Sequence, residues 1–433
     1  MADPAQVAHL LRRTEYVARP DRVAALSAGT LAAAVDDVLN FSPTPVPLPA
    51  FIDHNIAGQG WDQYVYATKW WLDRMVDAPK PLQEKMAFFW HGHFTSAWGK
   101  VGNTWAMTKQ NALYRANAVG SFYSLTQAMA IEPAMLMYLD NSQNTKTSPN
   151  ENFARELMEL FTLGVGNYAE VDVEIAARAW TGYGINSTTA AYEYHPTRHD
   201  GASMTFFGKT QPWSGPQIID EILLNNATKA LIAAKYIVGK LWEFFAHQSP
   251  PSTVVNALAP GFAADWQVKT LLRAMLLRAE FYLPAATQGL VRSPVDWIVA
   301  LMYYTGYRAD AINPQWYTDG MGQTPFDPPN VAGWKSNGYW VTVSAMSSRA
   351  ELARGITWHL RQNNGFAGLT ALTPDAAIDS VAAQFGISPL SSVTRAAMKN
   401  YLLAQRAAEP WGGWWEPTNL LTMAMLAPEM HVA

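Results

Sequence analysis

Residues 148–183 have the sequence SPNENFARELMELFTLGVGNYAEVDVEIAARAWTGY, which predicts two helices joined by a glycine-containing turn. Ser148 is a candidate N-cap, and Glu151 completes a capping box with it. Gly164 and Gly166 stand where helices commonly end in a residue of left-handed conformation. We therefore expect a first helix that begins after Ser148 and ends before Gly164.

The predicted first helix has an apolar side and a polar side. The apolar side follows the spacing i, i+4, i+7, i+8 through Phe153, Leu157, Leu160 and Phe161. The polar side follows the spacing i, i+3, i+4, i+7 through Asn152, Arg155, Glu156 and Glu159. The simplest interpretation is a solvated surface on which Arg155 and Glu159 form an ordinary ion pair.

A second interpretation places the polar side of this helix in a cleft. The β-carbons of Glu156 and Glu159 would then lie roughly 5–6 Å apart. Burial of two carboxylates at that separation raises the pKa of one of them, so that a proton donor stands beside a base. Under this interpretation Glu156 and Glu159 are catalytic, and Asn152 and Arg155 bind the substrate.

The central stretch resembles the bacterial domain-of-unknown-function 1800 family, through the run NENFARELMELFTLGVG and several segments elsewhere in the chain. In the family's order these segments are EKMAFFWHGHF (84–94), LDN (139–141), RHDG (198–201), FGKT (207–210), RSPVDWIV (292–299) and GQTPFDPPNVAGW (322–334). The resemblance covers nearly the whole chain and implies a largely helical fold, but it implies no particular activity. Ala169 departs from the family pattern, which has a capping threonine, so the second helix must start without that cap.

The composition is that of a globular protein with a large core. Of the 433 residues, 49% are hydrophobic and 15% are charged. The net charge of −4 gives no electrostatic reason to expect a nucleic-acid partner. The absence of cysteine excludes disulfides, thiolate nucleophiles and cysteine-ligated metal sites.

The chain shows no obvious membrane or export segment. No apolar run reaches the roughly 18 residues of a membrane-spanning helix, so we expect no transmembrane segment. The N-terminal residues lack the apolar region of a signal peptide. We therefore expect either a cytoplasmic protein or the mature form of an exported one.

The pattern along the chain predicts one mainly α domain over residues 1–433. Its parts are N-terminal helices at 4–40, a core at 60–310, a long irregular loop at 313–345 and C-terminal helices at 346–433. Alternating residues around a polar turn predict a small β-hairpin excursion near 187–210. A proline-rich connector occupies 41–50, and the segment WGGWWEP at 411–417 is a candidate for exposed aromatic residues.

Further candidates for a catalytic acid or base are Asp140, His199 and Asp200. Asp140 precedes the central stretch and would place an acid near Glu156, although turn formation also explains it. Asp200 would orient His199 as a base, and an Asp-Gly turn is the alternative explanation.

The irregular loop at 313–345 is long for a segment without helices or strands, and such loops are often functional. Its candidate contacts with a ligand are Asn330, Trp334 and Trp340. The alternative is an ordered surface loop that its tryptophans hold in place.

Glu84 and His91 are seven residues apart and therefore share one face of a helix predicted over 81–93. His91 is thus the better partner for Glu84, and His93 is expected to be a core histidine bonded to backbone. Helical bundles build metal sites from glutamate and histidine on neighbouring helices. Glu84 and His91, together with the two central glutamates, would suit Mn, Fe or Zn.

Three functions remain open. The first is a hydrolase or lyase that cleaves a carbohydrate-like or hydroxyl-rich polymer by general acid–base catalysis, without a cofactor. Because a sugar needs its two carboxyls on opposite sides of the scissile bond, ~5–10 Å apart, Asp140 or Asp200 would have to face Glu156. The second is a metal-dependent enzyme, and the third is a non-catalytic protein that binds or assembles with a protein partner.

Overall fold

The structure, a computed structural model, describes residues 1–43, 46–47, 49–52, 60–186, 188–362, 368–409 and 415–433. Within these ranges the chain is mainly helical with two small antiparallel sheets, which confirms the predicted fold class. The proline-rich connector at 41–50 and the aromatic segment at 411–417 lie partly outside the described residues. None of the described helices combines the length and the apolar character needed to cross a membrane.

The α-helices are numbered here in chain order. The N-terminal part contains α1 (Pro4–Glu15), α2 (Pro20–Ser27), α3 (Leu31–Leu39), α4 (Gly60–Asp77), α5 (Pro81–His93), α6 (Trp98–Val101), α7 (Thr104–Ala116), α8 (Phe122–Ala130), α9 (Pro133–Tyr138), α10 (Asn152–Glu156) and α11 (Glu170–Ala179). The remainder contains α12 (Gly215–Asp220), α13 (Ala227–Phe245), α14 (Ser252–Asp265), α15 (Val268–Leu276), α16 (Pro294–Thr305), α17 (Ala309–Ile312), α18 (Val343–Gln362), α19 (Pro374–Gln384), α20 (Ser392–Ala408), α21 (Trp415–Met425) and α22 (Pro428–His431).

The β excursion consists of two hairpins rather than one. Strands β1 (Tyr183–Ile185) and β2 (Tyr192–Tyr194) form the first, and β3 (Ser203–Phe206) and β4 (Lys209–Pro212) form the second. The second turn is tight because Phe207 and Gly208 both have positive φ, as two-residue hairpin turns require. The polar segment after β2, expected as the turn of a single hairpin, instead connects the two sheets.

Helix α5 is buried along nearly its whole length, and a buried ion cluster fixes it to its neighbours. Glu84 on α5 is fully buried. It accepts hydrogen bonds from Trp71 Nε1 (3.1 Å) and Arg74 Nε (2.7 Å), both on α4. It also accepts two from Arg115 on α7, from Nε at 2.6 Å and Nη2 at 2.8 Å. One carboxylate therefore joins α4, α5 and α7.

The irregular loop, which ends where α18 begins, folds back onto α5. Trp334 stacks on Phe88, with ring centroids 5.1 Å apart and planes 8° apart. A β-carbon added at Gly333, whose φ is +79°, would lie 2.4 Å from the carbonyl oxygen of Gly92. Both the backbone conformation and this approach require glycine at position 333. The loop therefore meets α5 backbone to backbone.

A second buried carboxylate, Glu132, caps α9. Its Oε2 accepts from Met135 N (2.9 Å) and from Gln110 Nε2 (2.7 Å), while its Oε1 has no partner among the described residues. Burial raises the pKa of Glu132 to about 7. Because the pKa is higher in the folded state than in the unfolded state, folding stability falls as the pH rises from the unfolded pKa toward 7.

The stability of Glu132→Gln relative to the wild-type protein is therefore expected to increase as the pH rises. From the size of the shift, the stability difference should grow by about 2–3 kcal/mol between pH 5 and pH 8. Urea unfolding at several pH values measures this difference. Glu174→Gln, at an exposed carboxylate of α11, is the matched control and should show no such growth. A difference that does not vary with pH would contradict the ionisation of Glu132.

Candidate functional site

The central helix begins later than predicted and changes its winding. Glu151, not Ser148, occupies the N-cap position of α10. The amide of Asn152 donates a hydrogen bond to Asn150 Oδ1 at 2.9 Å. The predicted cap at Ser148 is therefore wrong. After Glu156 the chain continues as a π-helix over Leu157–Thr162. Such single π-helical turns are rare and occur frequently at functional sites.

The second helix starts without a side-chain cap, as expected from Ala169. Ala169 itself occupies the N-cap position of α11, and its amide donates to Asp172 Oδ2 at 2.9 Å. This bond is one half of a capping box, and the other half, from the Asp172 amide to an N-cap side chain, is missing because alanine has no acceptor.

The two central glutamates differ in environment. Glu156 is partly buried, and desolvation together with the charge of Glu159 raises its pKa to about 7. Glu159 accepts a short hydrogen bond from the Tyr168 hydroxyl. Burial, and after it the same contact, raise the pKa of Tyr168 to about 12. A carboxyl whose pKa is raised thus lies beside one that accepts from a phenol, and the contact with the phenol was not predicted from the spacing.

The outer end of the polar side is less enclosed. Asn152 is exposed, whereas Arg155, Glu156 and Glu159 are partly buried. Arg155 forms ion pairs with Glu151 and Glu170 and does not pair with Glu159. The expected ion pair between Arg155 and Glu159 is therefore wrong, and Arg155 instead ties α10 to the start of α11.

Two cavities flank Trp334. The outer cavity, about 480 Å³, has charged and aromatic lining residues that include Lys100, Tyr138, Asp319, Asp327 and Trp334. The aromatic cavity, about 180 Å³, has lining residues that include Phe88, His93, Lys240, Glu243, Trp334 and Trp340. The indole of Trp334 thus separates two hollows of different character.

The charges of the central glutamates affect two tyrosines, one of which, Tyr138, lines the outer cavity. The pKa of Tyr138, in the outer cavity, is raised by burial and by the charges of Asp327 and Glu156. The pKa of Tyr236, which donates to Leu160 O in the π-helix at 3.0 Å, is raised by burial and by Glu159, Glu243 and Glu156. Glu156 and Glu159 are not themselves among the lining residues of either cavity.

The aromatic cavity contains polar groups in unusual states. His93 Nε2 donates to Phe161 O at 3.0 Å, so its buried Nδ1, which has no partner among the described residues, is a free acceptor. This confirms His93 as a core histidine bonded to backbone. Desolvation lowers the pKa of Lys240 to about 8, and its ammonium lies 5.1 Å from the ring centroid of Tyr236.

Some sequence-predicted residues do reach these cavities. Trp334 lines both, and Trp340 lines the aromatic cavity. Asp140 pairs with Lys100 at 2.7 Å, and that ammonium also lies 5.6 Å from the ring centroid of Tyr138. Asp140 therefore stands next to the outer cavity. Asn330 is exposed and closes a turn by accepting from Ala332 N at 3.0 Å.

The His199–Asp200 pair serves the β excursion instead. His199 Nδ1 donates to Thr181 O at 3.0 Å. Asp200 pairs with Arg178 at 2.7 Å, which helps to lower the pKa of its carboxyl. No hydrogen bond joins the two side chains within the described part of the chain. Asp200 therefore does not orient His199 as a base.

Glu84 and His91, the candidate metal ligands, each bind other groups of the protein. Glu84 pairs with arginines and not with His91, so the expected partnership is wrong. His91 Nε2 accepts from Phe326 N at 3.1 Å, and burial lowers its pKa to about 3. The described residues include no group of three or more histidines and carboxylates that converge on one point.

Sequence reasoning missed Lys240, Glu243 and Asp327. On α13, Tyr236, Lys240 and Glu243 follow the spacing i, i+4, i+7. These polar residues lie on the side of the helix opposite its apolar residues, so their spacing alone would have indicated a polar face. Asp327 had no such signal, because its position depends on how the loop folds onto α5. Its carboxylate accepts a hydrogen bond from Gly99 N on α6 at 2.8 Å.

Comparison with known proteins supports the family resemblance. A family described as "Protein of unknown function (DUF1800)" matches residues 9–432. No curated protein and no solved structure matches the chain at a significant level. Because the match covers nearly the whole chain, the protein belongs to the DUF1800 family of proteins of unknown function.

Proposed function

We propose that this protein is an enzyme that cleaves a carbohydrate-like, hydroxyl-rich polymer by general acid–base catalysis at Glu156. The observation that carries the proposal is the partly buried carboxyl of Glu156, which has a pKa of about 7. It lies near the carboxyl of Glu159, which accepts a hydrogen bond from Tyr168. A catalytic acid or base works best when its pKa is near the working pH. An ordinary surface glutamate would be fully ionised there and would make a poor proton donor.

The counterpart of Glu156 in this proposal is Asp327. Glu156 and Glu159 point from one helix and cannot flank a scissile bond by themselves. Asp327 lines the outer cavity, and both Asp327 and Glu156 raise the pKa of Tyr138. Tyr138 thus lies within electrostatic reach of two carboxyls from different elements. This supports Asp327, rather than Asp140 or Asp200, as the carboxyl that faces Glu156 across the substrate.

The outer cavity supports a polymeric substrate. Its volume of about 480 Å³ falls in the range of small-molecule sites and suits one or two sugar units. Trp334 offers an apolar ring surface beside the carboxylates. Lys100 and Asp140, paired at 2.7 Å, provide polar groups for hydroxyls at the edge.

The proposal is tested with a panel of polysaccharides and the pH dependence of cleavage. With Glu156 as the acid, its carboxyl must be protonated, so kcat/KM should fall as the pH rises through about 7. Initial rates from pH 5 to pH 9 on a cleaved polysaccharide measure this. A rate that rises through the same range would make Glu156 a base. Failure to cleave any member of the panel would argue against an enzyme of this class.

One observation favours the non-catalytic alternative. Trp61 and Trp316 are exposed and stack with ring centroids 6.3 Å apart. Exposed aromatic pairs of this kind are common in interaction surfaces. Binding of a polysaccharide that is never cleaved, lost in Trp316→Ala but kept in Glu156→Gln, would support a binding protein instead.

A further inference from the structure

A third cavity, about 70 Å³ in volume, lies next to the aromatic cavity, and basic side chains outnumber acidic ones in its lining. Its basic lining side chains are Arg12, Arg13, Lys85 and Arg292. Its acidic side chains are Glu243 and Asp296. A free carboxylate at Ala433, which also lines the cavity, would still leave this balance positive by one. We call this hollow the cationic cavity.

The positive charges in the cationic cavity are only partly compensated, by contacts that include two hydrogen bonds from Arg13 Nη2 to the carbonyl oxygens of Ala246 and Ala286. Arg13 and Arg292 are 2% and 4% exposed, and the Nε of each has no hydrogen-bond partner among the described residues. Asp296 is already paired with Lys85 at 3.0 Å. Leaving buried cations without counter-charges is strongly unfavourable, so a site of this kind is completed by an anion.

The electrostatics of the cluster agree with this geometry. Burial and the neighbouring Arg12 lower the pKa of Arg13 to about 9. Burial and the charge of Arg292 likewise lower the pKa of Arg12. Arginine rarely departs from full protonation, so these shifts indicate guanidinium groups that repel one another in a desolvated space. A bound anion would offset the repulsion between these groups.

The cationic cavity is of a suitable size and shares part of its wall with the aromatic cavity. A volume of about 70 Å³ exceeds the roughly 10–15 Å³ that one water molecule requires on the same measure. The cationic and aromatic cavities share Glu243, Phe244 and Trp340 among their lining residues. An anion in one can therefore belong to a molecule whose body occupies the other.

We propose that Arg12, Arg13, Lys85 and Arg292 form a binding site for an oxyanion, either a free inorganic anion or the acidic group of a ligand whose ring lies in the aromatic cavity. Guanidinium groups suit this role because their planar N–H groups match the oxygens of carboxylate, phosphate and sulfate. The proposal does not depend on the catalytic role of Glu156.

Thermal unfolding and calorimetric titration with phosphate and sulfate, at constant ionic strength maintained with chloride, test the site. In the wild-type protein both anions should raise the unfolding temperature with a saturable dependence on concentration. Arg12→Gln should weaken phosphate binding by roughly tenfold, the loss expected for one hydrogen bond to a charged group. Arg12 is only partly buried and forms no hydrogen bond or ion pair with any described residue, so the variant should fold.

Arg273→Gln is the matched control. It removes the same charge from an exposed ion pair with Asp36 and should leave anion binding unchanged. Equal effects of phosphate on the wild-type protein and on Arg12→Gln would mean a general salt effect and would overturn the proposal. Absence of saturable binding in the wild-type protein would overturn it as well, whether or not the variant folds.

The source of the anion is decided by comparing acetate, glucuronate and glucose. If glucuronate binds more tightly than acetate, glucose does not bind, and Trp340→Ala removes the advantage, the site takes the acidic group of a sugar-like ligand. If phosphate binds and Trp340→Ala has no effect, the site takes a free inorganic anion. Both outcomes support the oxyanion site.

Discussion

Replacing Glu84 with glutamine is expected to destabilise the protein by about 3–5 kcal/mol, the usual loss when one partner of a buried ion pair is removed. The reason is the set of four hydrogen bonds that its carboxylate accepts from Trp71, Arg74 and Arg115. Arg115 is 1% exposed, so the variant leaves a buried guanidinium without its counter-charge. Urea unfolding, followed by tryptophan fluorescence, measures the loss.

Asp36→Asn provides the matched control for Glu84→Gln. It breaks the exposed ion pair with Arg273 and should change the stability very little. The same experiment, repeated with a chelator and with added Mn²⁺ or Zn²⁺, separates an ion cluster from a metal site. Near-wild-type stability of Glu84→Gln, or a loss that appears only when metal is present, would contradict the structural role of this carboxylate.

Glu156→Gln is expected to reduce cleavage by roughly 10²–10⁴-fold on any polysaccharide that the wild-type protein cleaves, which is the usual contribution of general acid–base catalysis. Glutamine has the same shape but cannot supply a proton at neutral pH. The decline of the wild-type rate above pH 7 should also disappear from the residual activity. Initial-rate measurements across this pH range test both effects.

The control for Glu156→Gln is Glu170→Gln, which removes an exposed carboxylate bound to Arg155 while Glu151 keeps its own contact with that arginine. Its cleavage rate should match that of the wild-type protein. Asp327→Asn should resemble Glu156→Gln if the two carboxyls face each other across the substrate. Full activity in Glu156→Gln would remove this residue from the mechanism.

Local sequence patterns predicted the helical fold well, because helix signals are contained in short windows. The apolar side of the central helix is buried at Phe153, Leu157 and Phe161, as its spacing requires. The details at the helix ends were less predictable. Ser148 had the sequence of a cap, but a turn with Thr145 holds it outside the helix. The π-helical winding after Glu156 leaves no mark in a pattern of apolar and polar residues.

The candidate site could be predicted only in part, because its groups come from distant segments. The spacing of Glu156 and Glu159 predicted the like-charge repulsion that helps to raise the pKa of Glu156, but the burial that raises it most depends on the fold. The partners of Glu84 and Arg155 were not predictable, since Arg115 and Glu170 compete for them from other helices. The position of Asp327 depends on the folded loop, and no single-sequence pattern records such long-range contacts.

The close contact of Gly333 with Gly92 fixes the position of the loop on α5. A single codon change to alanine at Gly333 would force the loop away from α5, because the added methyl group has no room beside the Gly92 carbonyl. Trp334 is the next residue and lines both the outer and the aromatic cavity, so its indole would move with the loop. The wall between the two cavities therefore depends on a backbone contact that involves no charged group.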